Sequence, residues 1–246
     1  MKNLPVITKG LLMANVIVWL LDAVLQRYGI QLYTLLGLHY YTAADFHWWQ
    51  PLTYMFMHGG FSHLFFNMFA VLMFGPVLEQ EWGAKRYLIY YIICGLGAAF
   101  IQEAVWAMRI QSLLATYSAE SVMANYANMV VTVGASGAVF GILLAFGWLF
   151  PNVPMFLLFI PIPIKARWMV IGYAVVELFA GFSSLPGDNI AHFAHLGGML
   201  FGLILLLWWK YKDRLKIPRF WEKWFPAKHD VKKDSDYSEF HYRRRL

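Results

Sequence analysis

Charged residues are scarce in this chain. Asp, Glu, Lys and Arg make up 14% of its 246 residues, whereas hydrophobic residues make up 60%. A soluble domain is about 25% charged and about 45–50% apolar, so this composition argues against a soluble globular protein. Cysteine is nearly absent too, and the single Cys94 excludes an intramolecular disulfide. The composition therefore predicts a membrane protein.

Aromatic residues and positive charge are abundant, and both agree with that prediction. The chain has 11 Trp and 14 Tyr, whose rings prefer the level of the lipid headgroups. The net charge is +6, and many of the cations lie near the C-terminus. A basic tail of this kind suits an anionic membrane surface, so we expect membrane lipids and not nucleic acid as partners.

Six segments are apolar enough to be membrane spans, which need about 20 residues each. They cover approximately residues 10–25, 62–78, 87–108, 136–150, 168–182 and 190–211. The fourth is short for a span. The first has the basic flank of a signal peptide, but no small-residue cleavage site follows it. We therefore expect it to be a retained helix.

The distribution of basic residues predicts the orientation, because cytoplasmic loops carry the excess of Lys and Arg. One set of flanks holds Lys2, Lys9, Lys85, Arg86, Lys165, Arg167, Lys210, Lys212, Arg214 and Lys216, and the alternate loops hold only Arg27 and Arg109. This pattern predicts an all-α membrane protein of six transmembrane helices with both termini cytoplasmic. The transmembrane domain would cover residues 1–217, and residues 218–246 would form a basic, mostly disordered cytoplasmic tail.

Polar residues within spans are costly and therefore point to function. Ser136 begins the fourth span two residues after Gly134, where unpaired helix N–H groups can hold a developing oxyanion. His63 and Asn67 are four apart and share one face of the second span. The sixth span carries His195. A serine beside a histidine can act as a nucleophile.

Glycine spacing offers a way to bring the serine and the histidine together. Gly137 and Gly141 form one small-xxx-small pair, and Gly198 and Gly202 form another. Such pairs let helix backbones approach closely. Activation by a general base needs the serine oxygen within about 3 Å of an imidazole nitrogen. Each pair by itself is also compatible with simple helix packing.

Other interpretations of the polar residues remain open at this point. Ser136 could bond back to its own helix, and the histidines could be structural groups or members of a proton relay. We expect no metal, because the chain has no HExxH run and no carboxylate at ligand spacing from His58, His63, His192 or His195. Glu103 and Glu177 fall in no motif and are interpreted as structural or interfacial. A transporter is disfavoured because no internal repeat is visible.

Three separated motifs resemble those of the rhomboid family of intramembrane serine proteases. His63-x-x-x-Asn67 resembles the family's HxxxN, the run from Gly134 to Gly137 resembles its GxSG, and the run from Ala194 to Gly202 resembles its AHxxGxxxG. The stretch Gly75-x-x-x-Glu79-x-x-x-Gly83 is also similar to a family pattern. The resemblance covers about residues 48–208, and each motif lies on the span where the family has it.

The resemblance implies a role for each matching residue. Ser136 would be the nucleophile and His195 the general base. The oxyanion would bind to the backbone N–H of Ser136 and to the side chains of His63 and Asn67. The residues that would shape the site are Gly134, Gly137, Phe140, Gly198 and Gly202. Phe140 would pack on the histidine ring, and His58 would be structural or organise water.

The resemblance further implies a Ser-His dyad, since no aspartate is placed to orient His195. The reaction would be hydrolysis of peptide bonds in or near transmembrane segments, with single-pass membrane proteins as substrates and no cofactor. A six-span form with a short cytoplasmic N-terminus suggests a bacterial plasma membrane. The alternative is a catalytically silent rhomboid-like protein that binds membrane clients, although intact Ser136 and His195 argue against it.

Overall fold

The computed structural model describes residues 4–157, 160–183 and 191–215, which are mainly helical. The helices are α1 (Val6–Leu25), α2 (Leu32–Leu36), α3 (Gln50–Thr53), α4 (Phe61–Trp82), α5 (Ala84–Leu114), α6 (Ala119–Val122), α7 (Ser136–Leu149), α8 (Ala166–Ser183) and α9 (His192–Leu215). The first compact unit ends at Trp208 and a second begins at Trp209. The domain boundary predicted at 217 and the tail predicted at 218–246 lie outside the described residues.

Five of the described helices are long and apolar enough to cross a membrane, namely α1 with the turn after it, α4, α5, α8 and α9. The protein is therefore an integral, multi-pass membrane protein. Helix α7 is shorter, with 14 residues, which gives a length of about 21 Å against a hydrocarbon core of about 30 Å. The count of six spans and the cytoplasmic location of both termini stay predictions.

The mainly helical membrane fold is confirmed, but two short antiparallel β ladders accompany the helices. Strand β1 (Leu38–His39) pairs with β2 (Val131–Thr132), and β3 (Pro154–Leu157) pairs with β4 (Ile160–Lys165). The strands of both ladders lie in segments that connect helices along the chain. Backbone groups in such segments still need hydrogen-bond partners. Strand β4 alternates Ile with Pro. Proline is tolerated there because each strand of a two-stranded ladder is an edge strand.

Helix α7 is enclosed by its neighbours, whereas α8 is largely exposed. The sequence of α7 is apolar on every side, which is the pattern of a buried helix. Nine of its 14 residues are buried, and it contacts α4, α5 and α8. Helix α8 leaves Trp168, Val176 and Phe179 exposed, as a helix does whose outer face meets lipid. Ser136 therefore begins a helix that is held on several sides.

Glu79 joins the end of α4 to the beginning of α1. Its carboxylate accepts hydrogen bonds from the backbone N–H groups of Ile7 (2.9 Å) and Thr8 (2.7 Å) and from the Thr8 hydroxyl (2.8 Å). The first N–H groups of a helix have no partner within that helix. The carboxylate of Glu79 supplies the acceptor for two of these groups in α1. Gly75 leaves the space for this contact, because a Cβ there would lie 2.6 Å from the hydroxyl of Tyr87 and 3.1 Å from Thr8.

Candidate active site

Ser136 and His195 are in direct contact. Ser136 is the first residue of α7, and His195 lies in the first turn of α9. The Oγ atom of Ser136 is 2.8 Å from Nε2 of His195, and Nδ1 of the same ring is 2.9 Å from Oε2 of Glu177 on α8. A carboxylate only accepts hydrogen bonds, so Nδ1 carries the proton and Nε2 accepts from the serine hydroxyl. This is the relation of a nucleophile to its base and to a group that orients the base.

The Ser136–His195 contact depends on the close approach of α7 and α9. A Cβ at Gly198 would collide with the backbone carbonyl of Gly137, so no larger residue fits between the two helices there. The second member of each glycine pair borders α5. Gly141 and Gly202 both border the side chain of Cys94. Gly137 and Gly198 thus let α7 and α9 approach each other, while Gly137, Gly141 and Gly202 leave room for α5.

Gly134 is required by its backbone conformation and by its surroundings. Its φ of +129° is one that side-chain-bearing residues rarely adopt, and a Cβ there would lie 2.7 Å from the imidazole of His63. The same Cβ would be 3.5 Å from Oγ of Ser136. The N–H of Gly134 donates to the carbonyl of Tyr54 at 2.9 Å, just after strand β2. His63 and Ser136 therefore both lie beside Gly134.

The two side chains expected to bind an oxyanion are placed differently. His63 lies against Gly134 beside Ser136. Asn67 is buried, and its Nδ2 donates to the carbonyl of His63 at 2.9 Å, within its own helix. An amide nitrogen carries two hydrogens, so this bond leaves Asn67 a second donor. The structure places His63 beside Gly134, near the serine, and Asn67 one turn further along α4.

Phe140 holds the plane of the His195 ring. The two rings are stacked, with centroids 4.4 Å apart and planes 10° from parallel. Phe140 is four residues after Ser136, so both side chains lie on one face of α7. Tyr173 of α8 contacts the edge of Phe140, with centroids 6.1 Å apart at 79°. Helices α7 and α8 thus both contribute to the surroundings of His195.

The sequence offers no aspartate to orient His195, but the structure places a glutamate there, with Oε2 of Glu177 2.9 Å from Nδ1 of the ring. Spacing along the sequence did not reveal this contact because it joins two different helices, 18 residues apart. One signal was available: Glu177 is an ionisable residue inside an apolar helix, which points to function. Glu103, in contrast, accepts a hydrogen bond from the backbone N–H of Tyr41 at 3.2 Å, in agreement with a structural role.

His192 shares the carboxylate of Glu177. Its Nδ1 lies 2.7 Å from Oε2 of Glu177, and the side chains of His192, His195 and Glu177 are each only 10–12% exposed. No carboxylate stands at ligand spacing from His192 or His195 along the sequence, but Glu177 reaches both rings in space. Within the described ranges, these three residues form the cluster that could hold a metal ion, with ligand atoms within 4.8 Å of one another. Tetrahedral zinc ligands would lie about 3.3 Å apart, so the shorter separations fit a hydrogen-bonded cluster better.

His58 is a buried neighbour of the site. It is 3% exposed, and its ring meets that of His63 edge-on with centroids 5.0 Å apart. Burial, with the adjacent His63 as a second cause, lowers the pKa of His58 to about 4. His58 is therefore neutral near pH 7.

Comparison with known proteins identifies the family of this chain. The Rhomboid domain model matches residues 45–211, which is more than half of the sequence. The chain therefore belongs to the rhomboid family, a family that includes serine proteases, and the resemblance inferred from its motifs is confirmed.

Individual relatives come from bacteria, plants and fungi. RHOMBOID-like protein 5 of Arabidopsis thaliana is 33% identical over 162 residues, which cover 65% of this chain and 44% of the relative. Putative rhomboid protease YdcA of Bacillus subtilis is 30% identical over 162 residues, which cover 66% of this chain and 67% of the relative. Rhomboid protein 1, mitochondrial, of Saccharomyces cerevisiae is 29% identical over 149 residues, which cover 61% and 38%.

Proposed function

We propose that this chain is an intramembrane serine endopeptidase that hydrolyses peptide bonds in or near transmembrane segments of other membrane proteins. The observation that carries the proposal is the 2.8 Å contact between Oγ of Ser136 and Nε2 of His195. Both residues lie in the first turn of an apolar helix, in a chain that belongs to the rhomboid family. The same contact favours a protease over a silent client-binding relative, which would be free to lose either residue.

In this proposal Ser136 attacks the scissile carbonyl while Nε2 of His195 takes the hydroxyl proton. The oxyanion that forms is stabilised by the backbone N–H of Ser136, by His63 and by the second amide hydrogen of Asn67. His195 then gives the proton to the leaving amine, and the substrate remains bound to Ser136 as an ester. Water hydrolyses that ester with His195 again acting as the base, which restores the serine.

The proposed substrates are single-pass membrane proteins. A transmembrane helix has its carbonyl groups hydrogen-bonded inward, so the substrate must unwind before Ser136 can reach one. Residues of low helix propensity near the cleavage site should therefore be favoured. We further propose six spans with both termini in the cytoplasm of a bacterial plasma membrane. The distribution of basic residues and the relative from Bacillus subtilis support this location.

Cleavage of a model single-pass substrate in liposomes tests the proposal. The variants Ser136→Ala and His195→Ala should each lose at least about 10³-fold in kcat. Ser183→Ala is the matched control, because Ser183 is exposed at the end of α8 and bonds to the carbonyl of Phe179. It should cleave at the wild-type rate. Equal cleavage by wild type and Ser136→Ala would overturn the assignment.

A further inference from the structure

Glu177 is the one carboxylate of the described residues that contacts the proposed general base. We propose that Glu177 is a positioning residue for His195, so that the site works as a Ser136–His195–Glu177 triad and not as a dyad. The inference rests on the proposed protease function and adds to it a residue on α8. It is carried by contacts on both nitrogens of one imidazole ring.

The protonation of His195 decides whether Ser136 can be activated. A neutral imidazole carries its proton on one of two nitrogens. With the proton on Nε2 the ring would donate to the serine oxygen and could not accept the hydroxyl proton. The acceptor at Nδ1 removes this alternative, because Oε2 of Glu177 at 2.9 Å requires a proton on Nδ1. Glu177 therefore selects the form of His195 that is a base toward Ser136.

Stacking on Phe140 cannot make this selection. A ring stacked at 4.4 Å and 10° can turn by about 180° around its Cβ–Cγ bond and remain in the same plane. That turn would exchange Nε2 for a carbon atom opposite Ser136. Phe140 thus fixes the plane of the ring, and the hydrogen bond to Glu177 fixes which edge faces the serine.

Burial makes the carboxylate effective once His195 has taken the proton. The side chains of His195 and Glu177 are 10% and 12% exposed, so water screens their interaction only weakly. The imidazolium formed during attack then lies 2.9 Å from the carboxylate oxygen. An orienting carboxylate in a serine protease acts in these two ways, on the tautomer and on the imidazolium.

A simpler explanation is that Glu177 only stabilises the packing of α8 against α9. Nδ1 of His192 also lies 2.7 Å from Oε2 of Glu177. The two explanations predict different losses. If Glu177 only stabilises helix packing, its replacement would lower stability and leave the kcat of the folded protein unchanged. If Glu177 positions His195, its replacement would lower kcat and leave KM nearly unchanged, because the substrate does not contact Glu177.

Glu177→Gln separates these explanations because it keeps the shape of the side chain and removes its charge. We expect kcat to fall by about 10²-fold, with KM within about two-fold of wild type. Glu103→Gln is the matched control, since Glu103 also lies in a long apolar helix and contacts the backbone of Tyr41. Its kcat should stay within about two-fold. Wild-type kcat in a folded Glu177→Gln protein would overturn the triad.

Proton NMR of ¹⁵N-histidine-labelled wild type tests the same bond without altering Glu177. We expect two imidazole N–H protons shifted far downfield, and His192→Gln should remove one of them. Loss of both downfield protons in His192→Gln, or none in wild type, would refute the bond from His195 to Glu177. This spectrum decides the matter if Glu177→Gln fails to fold.

Two further measurements distinguish a failure of the triad from a failure of the proposed protease function. Dialysis of wild type against EDTA should leave kcat unchanged, and a loss as large as that of Glu177→Gln would show that the cluster acts through a metal. An inactive Ser136→Ala protein beside a fully active Glu177→Gln protein would reject the triad and keep the protease. An active Ser136→Ala protein would reject the protease itself.

Discussion

Glu79 and Glu177 are both carboxylates of long apolar helices, yet they bond to different kinds of donor. Glu79 accepts from two backbone N–H groups and a threonine hydroxyl at the start of α1. Glu177 accepts from two imidazole rings, one of which also holds Ser136. Backbone amides and a hydroxyl keep their protons, whereas an imidazole nitrogen can accept and release one. The first site can only hold helices together, while the second can also take part in proton transfer.

The two sites lie at opposite ends of α4. Glu79 is near the C-terminal end of this helix, and His63, beside Ser136, is near its N-terminal end. Sixteen residues of helix separate them, a distance of about 24 Å. A change at one end should therefore leave the other intact, and this independence can be tested with variants of each.

The largest effect is expected where α7 and α9 touch. Gly198→Ala places a methyl group against the backbone carbonyl of Gly137, which cannot rotate away as a side chain could. The displaced helices would separate Ser136 from His195, and kcat should fall by about 10²-fold or more. Gly172→Ala in α8 is the control, because a Cβ there has nothing within 4 Å. Similar activities for the two variants would show that the close approach is not needed.

A change at Glu79, at the C-terminal end of α4, should alter stability and not catalysis. Glu79→Gln leaves an amide where a carboxylate accepted three hydrogen bonds, and should lower the free energy of unfolding by about 2 kcal/mol. The kcat of the folded protein should stay within about two-fold of wild type. Thermal unfolding in detergent and substrate cleavage measure the two quantities. Glu81→Gln, at an exposed neighbour, should change neither, and a large loss of kcat in Glu79→Gln with unaltered unfolding would contradict the comparison.

The region at the N-terminal end of α4, beside Ser136, should also make the stability of the protein sensitive to acid. The pKa of His58 is lowered to about 4 from 6.5, mainly by burial. Below pH 6.5 the unfolded chain therefore takes up a proton that the folded protein does not, and stability falls until about pH 4. At pH 5 the loss from this group is about 2 kcal/mol.

His58→Gln should remove that part of the pH dependence. Unfolding midpoints of both proteins at pH 7 and pH 5 measure it, and the wild type should lose more on acidification. Parallel losses in the two proteins would show that His58 is not the group responsible.

The smallest effect is expected at Phe140. Phe140→Tyr keeps the stacked ring and should leave kcat within about two-fold, whereas Phe140→Ala should lower it up to about ten-fold, the value of an aromatic contact. Steady-state cleavage by the two variants tests this difference. Equal losses in both would show that stacking on His195 is not what matters at this position.

Much of this architecture follows from local properties of the sequence. The long helices are visible as apolar runs, and Ser136, His63 and His195 stand out because each lies in a distinctive motif of an apolar helix. The contact of Glu177 with His195 could not be predicted, because it depends on how α8 packs against α9 and no local spacing encodes that packing. Strands β1 and β2 have two residues each, which is too short for an alternating pattern to appear.

The central claim is that His195 makes Ser136 a nucleophile, and covalent labelling tests it without a substrate. Purified protein is treated with a fluorophosphonate, and the modified residue is located by mass spectrometry. We predict one adduct, on Ser136, formed at the same rate in wild type and in Glu79→Gln and not formed in His195→Ala. An adduct on another serine, or labelling of Ser136 at the wild-type rate in His195→Ala, would contradict the account.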